Sequence, residues 1–352
     1  MNNRAKKLSA VLRKGQAFYA SSPSDIFYLS GFTGTFARII INGRKQFFIT
    51  DARYKGGLSS FGITKDFDVI ITRNLKKDVK SLMFRVNMAL VSRSTGLSDY
   101  LMLKENTPVA VSPALDNLRM IKDRSEIGLI RKSVSICESG FRHVVSMLKP
   151  GVTEKDLALE FDYFTRKNGA DCLSFDPIIA FGPGSAVPHH KTSGAKLRKN
   201  TLILMDAGVK YRGYCSDLTR CIAFGIIQTR LKEIAGHYNI VKSAKEAAVL
   251  SYKKGLPVRS ADAKARFYLK KQGGFDRYFT HSLGHGMGLD IHEPPSVNAK
   301  DKSRFLPGMV FSCEPGIYME GRFGIRIEDD YLVTDKGPEK LGSLKDELII
   351  TD

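Results

Sequence analysis

The 352-residue sequence predicts an α+β protein in two parts, a small N-terminal α/β unit over residues 1–117 and an internally duplicated domain over residues 118–352. Three observations carry this. In the first third, Ala37–Ile41 and Gln46–Thr50 flank Asn42-Gly43, the strongest short hairpin signal, because both turn residues tolerate positive φ. From about Ser125 the texture changes, with Ile127, Ile130, Val134 and Cys137 recurring at helical spacing. Finally, a helix–glycine–helix–glycine unit occurs twice: Gly151 to Gly169 and Gly255 to Gly273 each span 18 residues, at an offset of 104.

Taken in order, Lys6 to Lys14 reads as a short helix and the hairpin follows. Phe67–Thr72, Met88–Val91 and Val109–Val111 read as strands, and Pro113 with the polar stretch to Lys122 as a boundary. A helix then runs from Ser125 to Leu148 and stops at Pro150-Gly151. Thr153 caps the next helix, with Asp156 as its capping-box partner, and that helix closes at Gly169. Arg230 to Tyr252 forms the matching long helix, broken at Gly255, and Ser260 starts another that ends at Gly273-Gly274. Strands follow each pair.

Composition narrows the function classes. Hydrophobic content of 43% suits a globular chain with a large core. The basic start, Met1 to Lys7, lacks a following apolar stretch and cleavage site, so no signal peptide is expected. No apolar run is long enough for a membrane span. Five scattered cysteines without a C-x-x-C pair fit buried reduced thiols in a cytoplasmic protein. The net charge of +19 is spread, with +10 in residues 1–117 and +9 in the remainder. Without a concentrated basic stripe, it reads as a solvated surface, and no nucleic-acid partner is expected.

Several residues carry chemistry. Asp206 ends the apolar run Thr201-Leu-Ile-Leu-Met-Asp206, where a carboxylate is costly unless paired or metal-bound. Asp217 lies eleven residues on, past the turn Arg212-Gly213, so two strands folding back would bring both together. Three of the seven histidines (His281, His285 and His292) fall within twelve positions among glycines that let backbone approach a small site. Glu314 and Glu328 emerge from strand-like runs and each needs a partner. Four carboxylates and one imidazole suit two divalent ions, with Mn2+, Co2+ or Fe2+ fitting the donors and metal-assisted hydrolysis as the reaction class.

These motifs together resemble the pita-bread metallopeptidases, which include methionine aminopeptidases, aminopeptidase P, prolidase and creatinase. The resemblance covers nearly the whole chain, and the five donors match in type and order. It implies a duplicated catalytic domain behind a small creatinase-like N-terminal domain. By that resemblance Asp206 binds one ion, Asp217 and Glu328 bridge, and His285 with Glu314 hold the other; the ions are Mn2+, or else Co2+, Fe2+ or Zn2+. His281 to Glu293 is close to the Xaa-Pro peptidase signature, departing at Met287, where a branched aliphatic is usual. Ser21 to Gly34 resembles the small domain of aminopeptidase P and prolidase, which methionine aminopeptidases generally lack.

Further roles follow from the resemblance alone. His189 matches the histidine near the substrate's amino end or the reaction intermediate, with His190 as a neighbour of unassigned role. His281 and His292 match histidines lining the proline side, Arg326 stands beside the bridging glutamate, and Glu314 also shuttles a proton. The implied substrates are short peptides with proline second, the implied assembly a homodimer, and aminopeptidase P is slightly favoured over prolidase. The competing readings are a methionine aminopeptidase-like enzyme and a non-catalytic family member acting as a binding protein. Creatinase-type hydrolysis is disfavoured by the intact donor set.

Overall fold

In a computed structural model, residues 3–43 and 45–352 are described. They fall into two compact units, one ending at Arg119 and the other running Met120–Asp352. The first holds α1 (Asn3–Ala10), β1 (Gln16–Ala20), α2 (Pro23–Ser30), β2 (Arg38–Asn42), β3 (Lys45–Thr50), α3 (Ile63–Asp66) and β4 (Asp68–Ile71). There follow α4 (Leu75–Leu82), β5 (Met88–Val91), α5 (Leu97–Lys104) and β6 (Val109–Val111), and α6 (Ala114–Met120) ends the unit. The sheet order is β4-β3-β2-β1-β5-β6, antiparallel from β1 to β3 and parallel at both ends.

The expected hairpin is β2–β3, with Asn42 opposite Lys45 and Gly43 at φ 58°; Arg44 lies outside the described residues. Ser22 caps α2 by accepting from Asp25 N, Pro23 opens the helix, and Gly31 closes it in the left-handed region at φ 73°. The first helix ends sooner than the sequence suggested. Val11 N and Leu12 N turn back onto Leu8 O and Ser9 O, and Gly15 at φ 80° redirects the chain into β1.

The second unit opens with α7 (Arg124–Ser146) and α8 (Glu154–Lys167), then β7 (Cys172–Leu173), β8 (Ile178–Phe181), β9 (Thr201–Ala207), β10 (Val209–Tyr211), β11 (Tyr214–Cys215) and β12 (Leu218–Phe224). The pattern then recurs as α9 (Gln228–Val249) and α10 (Arg259–Lys271), followed by β13 (Gly284–Gly286), β14 (Glu293–Val297), β15 (Val310–Cys313), β16 (Gly316–Met319), β17 (Phe323–Arg326), β18 (Asp329–Thr334), β19 (Gly337–Lys340) and β20 (Ile349–Thr351). Each half is a packed helix pair followed by antiparallel strands.

The helix faces follow from side-chain spacing. On α7, Ile130, Val134, Cys137, Phe141 and Val144 recur every three or four residues and are all buried. Phe141 meets Phe161 of α8 edge-on, with centroids 6.0 Å apart. On α9, Ile234, Tyr238, Val241, Ala244 and Ala248 form the matching stripe, packed into a core with Phe311, Ile317 and Ile325. Each large apolar side chain so buried contributes roughly 1.5–3 kcal/mol. The capping box at α8 is present, with Asp156 N donating to Thr153 Oγ1 at 3.1 Å and Thr153 N to Asp156 Oδ2 at 2.9 Å. No helix among the described residues is long and apolar enough to cross a membrane.

Candidate metal centre

Two sheets of the second unit, ordered β20-β12-β9-β8 and β14-β13-β15-β18-β19, carry the candidate residues on or beside their strands. Asp206 lies near the end of β9, its Cα paired with Thr219 of β12. Asp217 immediately precedes β12, after a turn through Arg212 (φ 47°) and Gly213 (φ 83°). The close return needs Gly208, since a Cβ there would lie 2.0 Å from Ser216 O. His285 is the central residue of β13, and Glu314 follows β15, its N–H donating to Leu283 O at 2.8 Å. Glu328 sits between β17 and β18, its N–H donating to Thr219 O at 3.2 Å.

This topology gathers ligand-type atoms into one buried spot. Asp217, His285 and Glu328 each offer a donor atom, all within 4.8 Å of one another. His285 Nε2 is 3.4 Å from Asp217 Oδ2 and 3.5 Å from Glu314 Oε1. Its Nδ1 is 3.1 Å from Gly286 O. A carbonyl can only accept, so Nδ1 carries a proton, and Nε2 is the ring atom turned toward the carboxylates.

The electrostatics of the carboxylates agree. Burial, with Glu328, Asp206 and Asp330 adding to it, pushes the Asp217 carboxyl well above its usual range. Burial and then Glu328 do the same to Glu314. Burial and Asp206 push Glu328 up to about 7. Asp206 Oδ1 is buried without a hydrogen-bond partner. Crowded carboxylates, an orphaned carboxylate oxygen and an inward-facing imidazole nitrogen are what a site for hard or borderline divalent ions requires. The residues fit such ions.

Around this group runs a hydrogen-bond web. Thr219 Oγ1 donates to Glu328 Oε2 at 2.5 Å and accepts from Arg326 Nε at 3.1 Å. Arg326 also pairs through Nη2 with Asp206 Oδ2, and through Nη1 with Tyr318 Oη at 2.7 Å and Pro188 O at 3.3 Å. Tyr318 Oη–H donates to His281 Nε2 at 2.8 Å, while His281 Nδ1–H donates to Ser282 O at 2.8 Å. Burial first and then the Arg326 charge oppose protonation, and the His281 pKa is lowered to about 4.

Behind the site, fully buried Arg220 donates to the carbonyls of Thr219 (2.9 Å) and Glu328 (2.7 Å) and to the carboxylates of Asp329 (2.7 Å) and Asp346 (3.1 Å). Lys245 of α9 pairs with the same two carboxylates. This paired network anchors the backbone on both sides of the Thr219–Glu328 bridge.

Every candidate residue from the sequence is accounted for. Asp206, Asp217, His285, Glu314, Glu328 and Arg326 converge as described. His281 Nδ1 lies 3.8 Å from Glu314 Oε2, and the His292 ring is 4.2 Å from that of His285. His189 is exposed on the turn after Gly182–Ala186 and contributes to the lowered pKa of His281 and His292. His190 is tied to Glu154 instead, at 2.9 Å. The sequence reading passed over Thr219, Arg220, Tyr318 and Glu154. The first two lie within Asp217-Leu-Thr-Arg220, and only the strand register reveals what they touch.

The fold and donor set define a duplicated α+β protein with a candidate divalent-metal centre between its two halves' strands. The chain belongs to metallopeptidase family M24, whose model matches residues 128–335. Residues 4–121 match the creatinase/prolidase N-terminal domain. The uncharacterized peptidase YqhT of Bacillus subtilis is 36% identical over 338 residues, covering 94% of each chain. An Xaa-Pro dipeptidase from Bacillus anthracis is 34% identical with a TM-score of 0.91, covering 99% of both chains. An X-Pro aminopeptidase from Thermotoga maritima is 32% identical with a TM-score of 0.87, covering 99% of this chain and 100% of its own.

Proposed function

We propose that this chain is an Xaa-Pro exopeptidase that hydrolyses the bond between an N-terminal residue and proline. The carrying observation is the gathering of Asp206, Asp217, His285, Glu314 and Glu328 around the inward-facing Nε2 of the imidazole. Two divalent ions held by these five residues, Mn2+ first and Co2+, Fe2+ or Zn2+ as alternatives, would supply Lewis acidity to the scissile carbonyl and a nucleophile from water near neutral pH.

The protein's own groups divide the remaining work. Arg326 and Thr219 orient Asp206 and Glu328. Glu314, whose Oε1 also accepts from Ser312 Oγ at 3.3 Å, is placed to move a proton between the attacking water and the leaving nitrogen. That nitrogen belongs to a tertiary amide and has no N–H, so peptidases that grip an amide hydrogen fail there. Proton delivery to it is a general-acid task worth roughly 10²–10⁴ in rate. His292 has its pKa lowered to about 4 by partial burial of its ring and by the His285 and His189 imidazoles. It is therefore neutral at pH 7 and offers an N–H to the developing oxyanion. His281, locked by Tyr318 and Ser282, lines the proline side without carrying a proton in the reaction.

The test is hydrolysis of Ala-Pro and Ala-Pro-Ala by metal-stripped protein, with and without added Mn2+ or Co2+, and with Asp206→Ala as control. Metal-dependent cleavage of the tripeptide assigns the aminopeptidase type, which the reading slightly favours. Cleavage of the dipeptide alone assigns the dipeptidase type. No cleavage of either with metal demonstrably bound would overturn the reading in favour of a non-catalytic binding role.

A further inference from the structure

We infer that Glu154, at the start of α8, is a positioning residue that sets the His189 segment over the candidate metal centre. The inference rests on the reading of His189 as a working residue of an Xaa-Pro peptidase. Glu154 is almost fully buried, and every hydrogen bond described for its carboxylate comes from the segment that carries His189. Oε1 accepts from Phe181 N at 2.9 Å. Oε2 accepts from His190 Nε2–H at 2.9 Å, Ser193 N at 2.8 Å and Ser193 Oγ at 2.7 Å.

The backbone repeats the grip. The first N–H groups of a helix have no partner within it. Here Glu154 N donates to Ala195 O at 3.1 Å and Lys155 N to Ser193 O at 3.0 Å, so the start of α8 holds the far end of the same segment. Burial alone would raise the Glu154 carboxyl. The His190 ring, Ser193 and the backbone donors outweigh it and hold the group below the usual carboxylate range, charged as the four bonds need.

His189 is bracketed by two fixed neighbours. On one side Pro188 O accepts from Arg326 Nη1, which ties the segment to the centre. On the other, the His190 ring is held by Glu154. The exposed His189 ring has no hydrogen bond of its own among the described residues, so its aim is set by these two anchors. Only one of them, Arg326, belongs to the site already described. A displacement of about 1 Å in a reacting group can cost on the order of 100-fold in rate.

The experiment compares Glu154→Gln, His189→Ala and the double variant, all Mn2+-loaded, on Ala-Pro-Ala and Ala-Pro. Histidine Cε1–H NMR resonances, assigned by single substitutions, are followed in parallel on the diamagnetic Zn2+-loaded proteins, because Mn2+ would broaden signals near the centre. Glu154→Gln keeps the shape and one accepting oxygen but turns the other position into an N–H donor, which cannot accept from the segment. The expected result is a kcat roughly 10–100-fold lower with KM little changed, and almost no further loss when His189 is already Ala. The His189 and His190 resonances shift while His143 and His237 stay. Losses that multiply in the double variant, or an unmoved His189 resonance, would overturn the inference. A wild-type chain that cleaves neither peptide removes the functional reading, and the NMR comparison still decides what Glu154 does. Should Glu154→Gln fail to fold, Ser193→Ala weakens the same grip and carries the same comparison.

Discussion

Replacing Glu328 by Gln should stabilise the metal-free protein at alkaline pH while weakening metal binding. In the metal-free fold, burial and the Asp206 carboxylate push Glu328 from an ordinary 4.5 up to about 7. An acid whose folded pKa lies above its unfolded one destabilises the fold once it ionises. The penalty is absent below about pH 4.5, grows between the two pKa values and is complete above about 7. At about 1.4 kcal/mol per pKa unit, it amounts to about 3 kcal/mol. Glutamine preserves the shape and can still accept from Thr219 Oγ1, so the variant sheds the repulsion while keeping the hydrogen bond. The assay is thermal unfolding with chelator at pH 5, 6, 7 and 8. Wild type and variant should unfold together at pH 5, and the variant several degrees higher at pH 8. Added Mn2+ should reverse that order, since it neutralises the wild-type carboxylates and finds one fewer in the variant. A variant less stable than wild type at pH 8 without metal would refute the charge-crowding argument.

Other predictions follow from the same geometry. Thr219→Val should lower Mn2+ affinity roughly 10–100-fold by removing the hydroxyl shared by Glu328 and Arg326, whereas Thr219→Ser should retain it, as titration calorimetry will show. Gly284→Ala should lose at least about 2 kcal/mol in denaturant unfolding, because the new Cβ would fall 2.2 Å from Ser312 O beside His285. Burial favours raising the Asp346 carboxyl, but Lys245, Arg220 and Lys340 override this and hold it well below 3.8. Its stabilising contribution is present above pH 3.8 and lost as pH falls through its lower folded value. Asp346→Asn should therefore be destabilising at pH 7, by a margin that shrinks below pH 4 in unfolding curves.

Much of this protein is legible in its linear pattern, because the signals are local. Asn42-Gly43 specifies a hairpin through φ, and Thr153 with Asp156 caps a helix within one turn. Apolar spacing marks both long helices, and the glycines at 151, 169, 255 and 273 all take positive φ where the elements turn. The candidate donors are visible for a similar reason: a carboxylate closing an apolar strand or a histidine among glycines is anomalous on its own. The first helix was misplaced because its polar, lysine-rich composition leaves the end to a turn at Gly15 rather than to any apolar period.

What only the tertiary structure decided is which side chains meet. Thr219 and Glu328 are 109 residues apart and face each other because β12 and the β17–β18 connection lie side by side. Tyr318 links Arg326 to His281 through a strand pairing that no spacing rule contains. Arg220, Lys245 and Asp329 look like ordinary surface charges in the sequence and prove buried, with Asp346 half-buried against them. Glu154 reads as a favourable first-turn acid on a helix, yet its carboxylate is spent on the segment around His190. Residue type and local pattern determine what a side chain can do; register and burial, set by the whole chain, decide what it does it to.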